Sequence, residues 1–386
     1  MKIIPYSRQR VDQDDITAVV KILKSDYLTQ GPVVTEFEAA FSNYVEAKYC
    51  VVFSSGTAAL HAIYTACGLT SGDQCITSSL TFAATSNAAL YLGAEVKFVD
   101  IVPKTGNLDL DKIEPLIGSK TKIITAVHFA GQPVDLAALR KIVIHQKQKI
   151  WLIEDACHAL GAEFNDKKIG SCEFSDAVVH SFHPVKHITT GEGGAVTTNN
   201  KKLYEIMLMF RSHGITKDRN KLEKKDEGDW YHEMQLLGYN YRLTDFQAAL
   251  GLSQLKKVAA FVERRRYLAS LYDHAFANNL FFEYPPAIDR TKHAYHLYPI
   301  RLKNHIKSKR KQVFSKLRAK GLWVQVHYLP VYLHPYYRKL GYVSGLCPKS
   351  EDFYSREISL PLYPSMKDSD LQHVVEVIKK VFHELE

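Results

Sequence analysis

From residue 49 to about residue 196 the sequence alternates short apolar runs with helix-period segments, a pattern that few folds accommodate. YCVVFSS, QCITSS, EVKFVDI, KIITAVHFAG and KIWLIEDACHALGA each hold an apolar run of a length that suits one buried strand. Between them, TAALHAIYTACGL, TFAATSNAALYLG and residues 135–146 read as helices. Such alternation predicts an α/β fold with a mostly parallel sheet covered by helices on both faces. Ligands in these sheets bind beyond the carboxyl ends of the strands. Three candidate groups fall there: the Gly56-Thr57 turn, Asp155 and Lys186.

Lys186 lies in SFHPVKHITTGEGG, after a strand-like run over residues 176–182. A neutral lysine amine attacks carbonyls and forms Schiff bases. Ser181 adds a hydroxyl, and Gly191, Gly193 and Gly194 let the backbone approach a bound molecule. A carboxylate such as Asp155, ending a buried strand, suits the protonated ring nitrogen of pyridoxal phosphate, which makes that ring an electron sink. The Ser-Gly-Thr turn at Gly56 and Thr57 opens a helix, so free backbone N–H groups face a phosphate there. Phe82 suits stacking on the ring face, and His158 suits a hydrogen bond to its phenolic oxygen. Plainer readings stand beside these. Lys186 alone reads as a solvated lysine before a glycine turn, Asp155 as a helix N-cap, Phe82 as a core aromatic and His158 as a surface residue.

A chain of 386 residues exceeds one core, so two domains are expected, over residues 1–255 and 256–386. Helices are expected over residues 14–24 and 34–45, and long helical segments run through GYNYRLTDFQAALGLSQLKKVAAFVERRRYLASLYDHAF. After residue 281, AYHLYPIRL and WVQVHYLPVYL read as short alternating strands around a basic helix over 307–320, with a closing helix over 369–385. The net charge of +9 suits an anionic small substrate. Its basic clusters are short and lack interleaved aromatics, which argues against nucleic acid. No apolar run is long enough for a bilayer, and the polar turn in MKIIPYSRQR argues against a cleaved signal. Six scattered cysteines without metal-ligand spacing fit a reducing cytoplasm and no metal site.

The blocks DYLTQGP, SSGTAAL, TFAATSNA, IEDACHALGA, SFHPVKHITTGEGG, GYNYRLTDFQAALGLSQL and VHYLPVYLHPYY together resemble the DegT/DnrJ/StrS-type sugar-nucleotide aminotransferases. These belong to the aspartate-aminotransferase fold group of pyridoxal 5'-phosphate (PLP) enzymes, fold type I, and the resemblance spans nearly the whole chain. It implies a large domain with a mostly parallel sheet and a small C-terminal α+β domain. It implies that Lys186 holds PLP covalently, that Asp155 pairs with the ring nitrogen and that Phe82 stacks on the ring. Gly56, Thr57 and Ser181 would hold the phosphate, and Asn240 would reach the cofactor of a neighbouring subunit in a homodimer with shared sites. At His158 many members carry Gln. Relatives that replace the lysine with His become dehydratases, so Lys186 argues for transamination. Among branches, SFHPVKHITTGEGG and WYHEMQLLGYNYRLTDFQAALGLSQLKK look most like the one in pseudaminic acid biosynthesis. That implies a UDP-linked 4-keto-6-deoxy N-acetyl hexose of β-L-arabino configuration as acceptor and L-glutamate as donor, released as 2-oxoglutarate. UDP is then expected near Tyr6, Tyr27, Thr29, His327 and Tyr328. Another nucleotide-linked 3- or 4-keto sugar is the alternative acceptor. A non-catalytic PLP-binding regulator is the alternative class.

Overall fold

The computed structural model describes residues 3–385. Seven strands form its central sheet: β1 (Tyr49–Phe53), β2 (Gln74–Ser78), β3 (Glu95–Val99), β4 (Thr121–Val127), β5 (Trp151–Asp155), β6 (Ala177–Ser181) and β7 (Gly194–Thr198). Their spatial order is β1-β7-β6-β5-β4-β2-β3. Only β7 is antiparallel to its neighbours β1 and β6; the remaining pairs are parallel. The mostly parallel sheet expected from the alternation is therefore present.

Helices α1 (Gln13–Leu23) and α2 (Pro32–Val45) precede the sheet. Crossovers α3 (Gly56–Ala66), α4 (Ala84–Leu90) and α5 (Leu136–Ile144) connect its strands, and α6 (Lys201–Phe210), α7 (Asp245–Leu255) and α8 (Val258–Phe276) follow it. Side chains alternate along a strand, so β1 serves two cores. Val51 and Phe53 pack with Ala59, Ile63, Met207 and Phe210 of α3 and α6, whereas Cys50 and Val52 pack with Phe37, Phe41 and Val45 of α2. The helix ends follow from capping chemistry. Asp12 accepts the amides of Asp14 and Asp15, and Asp15 reaches back to the Asp12 amide, which starts α1. Ser55 accepts the Ala58 amide and starts α3.

The C-terminal unit has an antiparallel sheet of β8 (Phe282–Glu283), β9 (Tyr298–Leu302) and β10 (Glu357–Leu360), in the order β8-β9-β10. It carries α9 (Arg310–Ala319), α10 (Pro335–Lys339), α11 (Pro348–Arg356) and α12 (Asp368–His383). Ile300, Leu302, Val313, Leu317, Ile358, Val374 and Ile378 form its core. Helix α8 crosses between the units. Val258 and Val262 pack in the α2 core, while Leu268, Tyr272 and Phe276 pack in the C-terminal one. Ile4, near the start of the chain, also belongs to the C-terminal core and pairs with Leu322.

One expected element differs. WVQVHYLPVYL is not a strand: only Leu322–Trp323 is extended in a sheet, followed by irregular chain and a 3₁₀ turn at Val331–Leu333. Pro330 cannot donate to a ladder, and the backbone bonds of this segment go to single residues, Val331 to Ser79 and Gln325 to Ser359. Residues 325–328 instead line a cavity in succession.

Candidate active site

The carboxyl ends of β1, β5 and β6 converge on a cavity of about 610 Å³, within the range of small-molecule sites. Gly56 and Thr57 enter it from the start of α3, Asp155 from the end of β5, and Ser181 and Lys186 from the end of β6 and its exit turn. Phe82, before α4, and His158 complete the sheet side. Tyr6, His327 and Tyr328 close it from the N-terminal segment and the C-terminal unit. Ten residues singled out from the sequence thus share one wall-to-wall space.

Asp155 is buried with both oxygens engaged: Thr85 donates to Oδ2 at 2.7 Å and the Cys157 amide donates to Oδ1 at 3.1 Å. It ends a strand and opens a turn, so it does not cap a helix. Lys186 is half-buried. Burial lowers its pKa, and this outweighs the opposing pull of Cys157 and Asp155. A lowered pKa raises the fraction of neutral amine that can attack a carbonyl.

The backbone supplies an anion seat. Ser55 takes the Ala58 amide and the Ala59 amide closes the first helical bond on the Ser55 carbonyl, so the amides of Gly56 and Thr57 stand at the open helix end. A Cβ on Gly194 would lie 2.6 Å from the Gly56 nitrogen, so glycine is required for β7 to run this close to α3.

His158 is buried, and its Nε2 lies 3.2 Å from the Tyr328 hydroxyl. Its Nδ1 is buried without a partner among the described residues. Burial first, then the charge of Lys186, holds its pKa well below the ordinary histidine value, so it is neutral. Phe82 is 62% exposed, a large ring presented at the mouth. An exposed ring, an anion seat, an engaged carboxylate, a lysine of lowered pKa and an unpartnered imidazole nitrogen fit the donor set that PLP requires.

Three expected residues lie elsewhere. Tyr27, Thr29 and Asn240 are exposed and do not line the cavity of their own chain. The loop carrying Tyr27 and Thr29 is tied to the block following Asn240, because Asp245 accepts the amides of Gly31 at 2.9 Å and Val33 at 3.1 Å. Residues passed over in the sequence also take part. Thr85, in the TFAAT block that yielded Phe82, orients Asp155. His296 lies 4.3 Å from the His158 ring, and Gln325 lines the wall. No periodicity or motif marks these last two.

Residues 9–379 match the model of the DegT/DnrJ/EryC1/StrS aminotransferase family. A UDP-4-amino-4,6-dideoxy-N-acetyl-beta-L-altrosamine transaminase of Campylobacter jejuni is 41% identical over 385 residues, covering 99% of this chain and 98% of the relative. An uncharacterized protein of Methanocaldococcus jannaschii is 40% identical over 383 residues, covering 99% and 98%. Among solved structures, Helicobacter pylori PseC, an aminotransferase involved in the biosynthesis of pseudoaminic acid, superposes with a TM-score of 0.93. It is 35% identical, over 99% of this chain and 100% of that one.

Proposed function

The chain belongs to the DegT/DnrJ/EryC1/StrS aminotransferase family, and from that premise we propose the reaction it performs. It is a PLP-dependent aminotransferase that moves the amino group of L-glutamate to C4 of a UDP-linked 4-keto-6-deoxy N-acetyl hexose, in pseudaminic acid biosynthesis. The observation that carries this reading is the meeting of Lys186, Asp155 and the open end of α3 in one cavity. The names of the C. jejuni and H. pylori relatives support the choice of sugar.

PLP, when bound, supplies an electron sink for the carbanion left by the departing α-proton. Lys186 would hold the cofactor through its amine and, as acid and base, would move the proton between the reacting carbon atoms. With its pKa lowered by burial, the amine is ready to accept that proton. Asp155 would keep the ring nitrogen protonated, and Thr85 and the Cys157 amide hold the carboxylate in place for that task. Gly56, Thr57 and Ser181 would seat the phosphate, Phe82 would pack on the ring and His158 would face its phenolic oxygen. In the second half, Lys186 returns a proton to C4 of the sugar.

The site is shared between two copies in a homodimer. Asn240 is exposed, and so are the apolar side chains of Trp230 and Leu237 in the segment before it, at 78% and 77%, which a second copy would cover. Asn240 reaches the partner's cofactor phosphate, and the tethered loop brings Tyr27 and Thr29 to the partner's cavity, while Tyr6, His327 and Tyr328 contact UDP or sugar in their own. All six cysteines are unpaired, which fits the cytoplasm. No helix among the described residues is long and apolar enough to cross a membrane.

The test supplies [15N]-L-glutamate with UDP- and dTDP-linked 4-keto sugars of both C5 configurations and locates the label by NMR. The reading expects label at C4 of the UDP-linked β-L-arabino sugar. Transfer to dTDP-sugars alone, or label at C3, contradicts it.

A further inference from the structure

His327 lines the cavity as a neutral imidazole: burial, then the charge of Lys186, holds its pKa down to about 3. A neutral imidazole has one proton, and its position decides whether the cavity meets a donor or an acceptor. Nδ1 lies 2.8 Å from Ser359 Oγ, and Ser359 Oγ lies 2.5 Å from Glu357 Oε1. Glu357 Oε2 accepts the backbone N–H of His327 at 2.7 Å, which closes the loop. Glu357 and Ser359 stand two residues apart on one face of β10, both fully buried. Nε2 of His327 has no partner among the described residues, so it is the nitrogen left for a ligand.

We propose that Glu357, acting through Ser359, is a positioning residue that sets the tautomer of His327 and so selects a substrate that offers a hydroxyl or amide N–H at that wall. The substrate half of this proposal rests on the cavity being the keto-sugar site; the tautomer half does not. With Glu357 ionised, Ser359 donates to Oε1, its oxygen accepts from Nδ1–H, and Nε2 presents a lone pair. One added proton reverses the chain. It enters at Nε2, Nδ1 passes its proton to Ser359, and Ser359 passes its own to Glu357. His327 stays neutral in both states, but Nε2 becomes a donor.

Several charges face Glu357. Arg310 of α9 favours the carboxylate, whereas burial opposes it more strongly and pushes the pKa up to about 8. Arg301, its register partner on β9, is taken by Glu283 at 2.7 Å, and Arg356 of α11 is taken by Asp352 at 2.5 Å. Tyr328 and Lys186 lie on the cavity side, and both stand near His327. The acceptor state therefore belongs above about pH 8 and the donor state below it.

Glu357→Gln separates the two states without changing shape. Its carbonyl must accept the His327 amide, so its NH₂ faces Ser359 and copies the protonated acid. The experiment is neutron diffraction on deuterium-exchanged holoenzyme crystals well below and well above pH 8, with KM for the UDP-keto sugar measured over the same range. In the wild type, deuterium should sit on Nε2 at low pH and Nδ1 at high pH, and KM should fall roughly tenfold across the change. In Glu357→Gln, deuterium should stay on Nε2 and KM should stay high. Ser359→Ala, a small change inside β10, should uncouple the tautomer from pH. A His327 tautomer indifferent to pH and to both substitutions overturns the proposal, whichever sugar the enzyme takes. A tautomer that responds while KM does not overturns its substrate-selecting half.

Discussion

Thr85 holds Asp155 through a 2.7 Å bond within the buried wall, so the proposed reaction depends on both. Replacing the hydroxyl by an isosteric methyl leaves the carboxylate in place but less constrained. Asp155→Ala should lower kcat roughly 10²–10³-fold or more, by removing a charge at the atom where charge develops. Thr85→Val should cost roughly tenfold, the worth of one hydrogen bond to a charged group. His158→Ala should fall nearer Thr85→Val than Asp155→Ala, because its partner is the Tyr328 hydroxyl and its own charge is already suppressed. Steady-state kinetics on the three variants checks the ranking, and equal losses at Asp155 and His158 would reverse the orientation assigned to the ring. Asp155 was legible in the sequence because it ends a strand whose apolar run announces it, and Lys186 because it lies in the glycine-rich exit turn of another such strand. Thr85 was not, since a threonine in an alanine-rich helix carries no pattern. Glu357 and Ser359 were invisible for a different reason: 30 and 32 residues separate them from His327, and only the tertiary fold brings them together.

Helix α3 depends on β7 passing it without a side chain. A Cβ at Gly194 would lie 2.6 Å from the Ser55 carbonyl carbon and oxygen, which are backbone atoms that cannot swing aside. Gly194→Ala should therefore push α3 off its seat, and fluorescence titration should show PLP retention weakened at least tenfold. Unchanged affinity would show that the phosphate does not rest on α3. A second element-scale test concerns α1 and α7. Asp15 is fully buried and accepts Ser253 at 2.6 Å, Gln254 at 2.7 Å and Lys257 at 2.9 Å. Asp15→Ala should cost about 3–5 kcal/mol, because the remaining partners keep their desolvation without the carboxylate; denaturant unfolding measures it. The helices and sheet strands were readable because period and length agree in them, as in TAALHAIYTACGL. Residues 323–333 misled because Pro330 and isolated backbone bonds keep the alternating run out of a ladder.

The two units are joined by the N-terminal segment as well as by α8. Tyr6 accepts the Leu362 amide at 2.9 Å and Ser7 donates to the Val185 carbonyl at 3.2 Å, one residue from Lys186. This N-terminal strap was unreadable in advance, since two strand residues give no period. The molecule also buries neutral histidines: His180, His293 and His327 have pKa values pushed down to about 3 by burial, and His158, His187 and His296 are lowered too. Unfolded, each binds a proton below about pH 6.5, whereas folded it does not. Their contribution to stability is full above that pH and drains as pH falls toward 3. Glu357 has the opposite sign, losing stability as pH rises from its ordinary value to about 8. It is one group against several, so the histidines win. Each contributes about 1.4 kcal/mol per pH unit once the unfolded form is protonated. Stability by urea unfolding should therefore fall by several kcal/mol between pH 6.5 and pH 5; a flat profile would mean that these histidines are hydrated or charged in the folded state.

The proposed reaction needs Lys186 to hold the cofactor. Borohydride reduction of the purified holoenzyme, followed by peptide mass mapping, tests that directly. The expected result is loss of the cofactor's visible absorbance and a pyridoxyl group on Nζ of Lys186 alone, with no labelled peptide from Lys186→Ala. Label on another lysine, or a fully active Lys186→Ala enzyme, would contradict it.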